Sequence, residues 1–206
     1  MATPRIFLLS PAHCGGVRAR LVLAEDAQSD LARRLRSREG VPLGEVMTFM
    51  SGLYFRGKLA YARAFAQPPG RAEGTLVITP GKGLRPADER VTLDALRRIA
   101  EVGVDAANPA YRSPLEASAR TLAAHISRRC DVVLLGSVAS NKYTDVLSGA
   151  FGTRLVFPAD FVGRGDMSRG GLLLRCVAEG RELAYVPVEG AVRHGPRPPR
   201  LGRMAR

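Results

Sequence analysis

Arg164, Asp166, Ser168 and Arg169 fall within six positions of one another, inside the stretch LVFPADFVGRGDMSRGG at Leu155–Gly171. The apolar Leu155, Val156 and Phe157 predict a buried strand, and Gly171–Glu179 predicts a helix, so the polar residues sit in a glycine-rich loop at a strand-to-helix junction. Helix starts carry backbone N–H groups without internal partners and attract anions. Two guanidinium groups and a hydroxyl at such a place suit a phosphate, and a carboxylate among them suits acid–base work.

Other polar groups of the same kind follow apolar runs elsewhere. Ser10 opens SPAHCGG, where the His13–Cys14 pair offers a thiol beside a base. Gly81–Asp88, GKGLRPAD, supplies Lys82, Arg85 and Asp88, and Ala139–Tyr143, ASNKY, supplies Ser140, Asn141, Lys142 and Tyr143. Leu43–Phe65 reads as two helices with a break near Phe55–Lys58, where Arg56 and Lys58 join Tyr54, Phe55 and Tyr61. Aromatic rings beside cations can stack a base next to a phosphate, and they serve equally as ordinary core. All but three of the 31 basic residues are arginine, and the three lysines, Lys58, Lys82 and Lys142, all fall in these segments.

The elements that must position these residues alternate. RIFLLSP, TLVITP, CDVVLLGSV, the Leu155 run and ELAYVPV at Glu182–Val188 predict strands, with Pro187 putting the last near an edge. Helical spacing appears at Glu25–Arg38 and at Thr92–Ala100 behind an N-capping Thr92, and Ser113–Glu116 forms a capping box that opens a helix through Ile126. A short helix is expected from the ASNKY loop to about Leu147, and His125 reads as a structural histidine. This order predicts a single α/β domain over 1–192, with a mostly parallel mixed sheet of about five strands and helices on both faces. An Arg- and Pro-rich tail, 193–206, is expected to be disordered or extended.

Parallel strands end on one side, so the four loops are expected along one rim, the place where open α/β sheets bind ligands. Asp88, Asp166 and Tyr143 are the catalytic candidates there. Ser10, Arg56, Lys58, Lys82, Arg85, Ser140, Asn141, Lys142, Arg164, Ser168 and Arg169 are the binding candidates. No metal-site spacing is present and no cofactor is expected. The net charge of +12 favours phosphate-bearing partners. No apolar run approaches a membrane span, and three cysteines without CxxC spacing point to a reducing, cytoplasmic setting and no membrane partner. No residue pattern names a protein partner.

Taken in order, SPA at Ser10–Ala12, FRGK at Phe55–Lys58 with Tyr61, LRPAD at Leu84–Asp88, ASNKY at Ala139–Tyr143 and RGDMSR at Arg164–Arg169 resemble the motifs of the YaaA family of peroxide stress proteins. The resemblance implies a mixed α/β fold with a positively charged cleft, DNA binding, and protection against iron-driven oxidative damage. It departs at His13, where the family usually carries lysine, and at Asp145, near which a further lysine is expected. Two functions follow. One is binding of DNA or nucleotide phosphates in a basic cleft; the other is an enzyme cleaving or exchanging a glycosidic bond of a nucleobase, nucleoside or nucleotide.

Overall fold

Four apolar runs, each hydrophobic on both sides, form the parallel middle of a sheet, because strands covered by helices on both faces have no polar side to show. They are β1 (Arg5–Leu9), β3 (Thr75–Thr79), β6 (Asp131–Leu135) and β7 (Leu155–Pro158). The computed structural model describes residues 3–199 and 202. β1 lies between β3 and β6, with Phe7 opposite Thr75 and Arg5 opposite Asp131, and β7 continues from β6 with Val132 opposite Leu155. Two antiparallel edges complete the order β4-β3-β1-β6-β7-β8, with β4 at Gly83–Pro86 and β8 at Tyr185–Pro187. A separate two-residue pairing joins β2 (Val41–Pro42) to β5 (Arg90–Val91).

This is the expected α/β domain, with six strands in the main sheet rather than five. The added strand is β4, formed by GLRP, which reads as loop in the sequence. Its proline closes the strand at an edge, where a missing N–H costs no ladder bond. The hairpin is held from below by Ser118, whose hydroxyl accepts from Leu84 N at 2.9 Å and donates to the Pro114 carbonyl at 2.9 Å.

The helices run α1 (Val17–Leu23), α2 (Asp30–Arg36), α3 (Leu43–Ser51), α4 (Leu53–Phe65), α5 (Leu93–Ala100), α6 (Pro109–His125), α7 (Asn141–Phe151) and α8 (Asp166–Glu179). α4 packs with α8, and α6 packs with α7. Several bounds differ from the sequence reading. The break in the Leu43–Phe65 segment falls at Gly52, whose φ of 63° ends α3, so Arg56 and Lys58 lie inside a continuous α4. α6 starts four residues before the capping box, at Pro109 behind Asn108, whose side chain accepts from Ala110 N, and carries Pro114 within the helix. α8 begins at Asp166, so most of the RGDMSR loop is helix. α2 starts at Asp30 behind Ser29, which caps Ala32 N, α7 extends to Phe151, and α1 forms over a segment not expected to be helical. Thr92 caps α5 as expected.

The described part of the tail has no regular structure, but Arg193 donates to Thr144 Oγ1 at 3.0 Å. A side chain at Gly163 would strike the Pro196 carbonyl at 2.0 Å, so the chain there lies against the loop after β7. Residues 200, 201 and 203–206 of the tail lie outside the described residues.

Candidate functional site

The chain leaves β1 for β3 on one side and then crosses to β6 on the other, which puts the switch in strand order between β1 and β6. At such a point the loops leaving two neighbouring strands part and open a crevice. Ser10 follows β1 directly, and its N–H donates to the Leu135 carbonyl at 3.1 Å. Gly136 follows β6, and a Cβ there would lie 3.0 Å from Ser10 Cβ, so the two strand ends touch.

Onto this place α4 projects Lys58. Its Nζ donates to the Ser10 carbonyl at 2.6 Å and to Ser10 Oγ at 2.8 Å, and lies 4.4 Å from the Tyr54 ring centre and 4.8 Å from that of Phe55. Lys58 is 1% exposed. No carboxylate lies within ion-pair distance of it among the described residues. Burial lowers its pKa from 10.5 to about 7, the nearby Asp166 pulling upward and Arg169 further down. A buried ammonium with two neutral acceptors and two ring faces holds its proton weakly, so the free amine is populated near neutrality.

The remaining members arrive on α7 and α8. α8 comes close because α4 and α8 meet at two glycines. A Cβ on Gly57 would sit 2.6 Å from the Gly170 carbonyl oxygen, and one on Gly170 would sit 2.8 Å from the Leu53 carbonyl oxygen. The first turn of α8 therefore lies against the first turns of α4. Arg169, buried, donates through Nε and one terminal nitrogen to the Phe161 carbonyl at 3.2 and 3.0 Å, and its other terminal nitrogen lies 3.6 Å from Asp166. Asp166 is 67% exposed and is the member through which the cluster meets solvent. Tyr143, in the first turn of α7, is buried; burial raises its pKa to about 12, opposed by the Ser10 side chain beside it.

Tyr54 completes the group. Its hydroxyl is buried beside the Arg169 guanidinium and has no acceptor among the described residues. Burial raises its pKa strongly, with the Arg169 guanidinium opposing and Asp166 and Tyr143 adding to the rise. Buried hydroxyls are nearly always paired, so an unpaired one facing charged groups marks a position that a ligand or solvent would satisfy.

Of the candidates read from sequence, Ser10, Lys58, Tyr143, Asp166 and Arg169 are thus brought together. Arg164 and Ser168 adjoin them: Arg164 donates to the Asp160 carbonyl at 2.9 Å and to Ser168 Oγ at 3.3 Å. Ser140 caps α7 without a side-chain bond, and Asn141 and Lys142 form its exposed start beside the end of β6. Lys82 is exposed in the turn after β3. Arg56 lies two residues from Lys58, on the opposite side of α4, and is exposed.

Arg85 and Asp88 go elsewhere, because the segment expected to stay at the rim turns back as β4. Arg85 pairs with Glu89 at 2.6 Å. Asp88 lies beyond β4, after Ala87, whose N–H reaches the carbonyl of Thr75, the first residue of β3. It is 75% exposed and ion-paired with Arg63. Cys14 is half-buried, and burial pushes its thiol pKa up, the reverse of an activated thiolate. Tyr54 entered the sequence reading only as an aromatic; nothing in spacing reveals that its hydroxyl is left without a partner.

The larger surface cavities lie away from this cluster. One of about 850 Å³ runs along β4 and α6 past Leu76, Leu84, Leu122 and His125, and one of about 680 Å³ lies between α7 and Arg193. Comparison of the chain with protein-family models, with curated proteins and with solved structures finds no match.

Proposed function

We propose that this chain is an enzyme that cleaves or exchanges the glycosidic bond of a nucleoside or nucleotide at the cluster of Ser10, Lys58, Tyr143, Asp166 and Arg169. The observation that carries the reading is the Lys58 Nζ to Ser10 Oγ contact of 2.8 Å in a buried site where the lysine pKa falls to about 7. A group poised near the working pH both gives and takes protons effectively. In the hydrolytic case, Asp166, at the solvent side, takes a proton from water, and the water oxygen bonds to the anomeric carbon. The carbon–nitrogen bond breaks with its electron pair on the base, which is protonated by the Lys58 ammonium, directly or through the Ser10 hydroxyl. In exchange, a second base takes the place of water. The cationic surroundings steer a phosphate-bearing substrate to the site.

A library of nucleosides and nucleotides tests this by thermal shift and by release of free base. A ligand that stabilises the wild type, and whose turnover disappears in Lys58→Met and in Asp166→Asn, supports the reading. Turnover that survives Lys58→Met refutes it.

A second reading is binding of DNA in the manner of the YaaA family, in the setting of oxidative stress. It is favoured by the five ordered motifs and by Arg56, Lys82 and Lys142, which are exposed and have no ion pair among the described residues. Here affinity for any duplex falls steeply with salt and persists in Asp166→Asn.

A further inference from the structure

Two donors at the site have no acceptor among the described residues. The Tyr54 hydroxyl is one. The other belongs to Lys58 in its ammonium form, which has three N–H groups and meets only the carbonyl and hydroxyl of Ser10. Arg169 adds a third donor, the second cationic one, held loosely, its contact with Asp166 being 3.6 Å. All three converge on the first turn of α8, a 14-residue helix whose start at Gly165 has no side-chain cap. Donors without acceptors around a helix start are the complement of an oxoanion.

We infer that the Tyr54 hydroxyl is a ligand-holding group of this site, donating to an oxygen of a phosphate that lies against the start of α8 between Tyr54 and Arg169. The assignment rests on the enzyme reading for its place in a reaction, but the phosphate contact stands on Tyr54 itself. Entry of the phosphate turns the exposed Asp166 carboxylate outward, since the two carry the same charge, and releases the free Arg169 nitrogen to the anion. A phosphate at this depth comes from a nucleotide monoester or from the diester backbone of DNA, and both present the same oxygens.

The test uses the full chain with inorganic phosphate, AMP, adenosine and a short duplex as probes, read by calorimetry and melting temperature. Phosphate and AMP stabilise the wild type and adenosine does so less. Tyr54→Phe keeps the ring under Lys58 and melts no lower than wild type, because the hydroxyl it loses has no partner, yet it binds phosphate and AMP about tenfold or more weakly. Asp166→Asn, at an exposed position, binds phosphate about twofold to fivefold more tightly, because a like charge is gone. AMP competing with phosphate while the duplex does not identifies a nucleotide as the source; competition by the duplex as well identifies the DNA backbone, and either supports the site. Unchanged phosphate affinity in Tyr54→Phe overturns the inference, as does unchanged or weakened affinity in Asp166→Asn. Loss of phosphate binding in Tyr54→Phe with no turnover on any nucleoside removes the enzyme reading alone. Turnover that needs Lys58 while phosphate binding ignores Tyr54 removes this inference alone.

Discussion

α4 carries two buried clusters of aromatic rings and cations, about two turns apart, and only one of them closes its hydrogen bonds. Around Tyr61 the bonds form a chain. Leu183 N donates to the Tyr61 hydroxyl at 2.8 Å, which meets the Tyr185 hydroxyl at 2.8 Å, and Tyr185 donates to Glu182 at 2.7 Å. Glu182 is ion-paired with Arg5, whose guanidinium lies 5.7 Å from the Tyr185 ring centre. Around Tyr54 and Lys58 the same residue types leave a hydroxyl without a partner and an amine with neutral acceptors only. A network whose members satisfy one another fixes the fold, whereas donors left open cost stability and are kept where a ligand completes them. The first cluster is therefore structural, and the second is the one on which the proposed function rests.

The largest effect that separates them is on turnover. Lys58→Met removes the proton donor and replaces a buried amine with an apolar chain of similar length. Base release falls by about 10²–10⁴-fold, while the melting temperature changes little, because relief from burying a cation offsets the donor lost to the Ser10 carbonyl and hydroxyl. A variant that loses activity only because it unfolds shows a lower melting temperature, and that result merges the two clusters into one structural core.

Next in size is the seam that brings the open cluster together. Gly57→Ala puts a methyl 2.6 Å from the Gly170 carbonyl oxygen, and backbone on both sides must move. A loss of about 2–3 kcal/mol in chemical denaturation is expected, with turnover reduced further than stability alone explains because Asp166 and Arg169 shift relative to Lys58. Full stability in this variant means the helices separate freely and the first turn of α8 is not held in place.

The same chemical change made in each cluster is a smaller and more direct contrast. Tyr61→Phe strands the Leu183 N–H, takes away the hydroxyl that bonds Tyr185, and costs about 1–3 kcal/mol. Tyr54→Phe strands nothing and costs no stability. Equal losses in the two variants give the Tyr54 hydroxyl a structural partner and end the distinction.

Much of the architecture is legible in the residues, because strands buried on both faces are written as continuous apolar runs and each is followed by polar residues at one rim. Ser10, Asp166 and Arg169 were legible for that reason. Asp88 was not, since LRPAD looks like loop and pairs only because an edge strand tolerates its proline. Gly57 resembles a helix break because glycine is a poor helix former, yet here the helix continues and the missing side chain lets another backbone approach. The burial of Lys58 and the unpaired hydroxyl of Tyr54 are products of that approach. No local pattern encodes either one.

The smallest effect is a slope, and it tests Lys58 without any substrate. In the unfolded chain this lysine titrates near 10.5 and in the folded protein near 7. From pH 7 upward the unfolded state therefore holds a proton that the folded state has shed, so this group makes stability rise with pH, by at most about 1.4 kcal/mol per unit. The penalty of burying the charge is fully present below pH 7 and is relieved toward 10.5. The three cysteines and the buried tyrosines act in the opposite direction, because burial raises their pKa values and the unfolded chain loses those protons first, the cysteines from about pH 8 and the tyrosines nearer 10. Those groups are common to wild type and Lys58→Met, so the difference between their stability slopes from pH 7 to about 8.5 isolates the lysine. The slope is more positive in the wild type than in Lys58→Met, where the contribution is gone. Identical slopes mean that Lys58 stays protonated in the folded protein, and the open cluster then lacks the free amine that distinguishes it from the closed one.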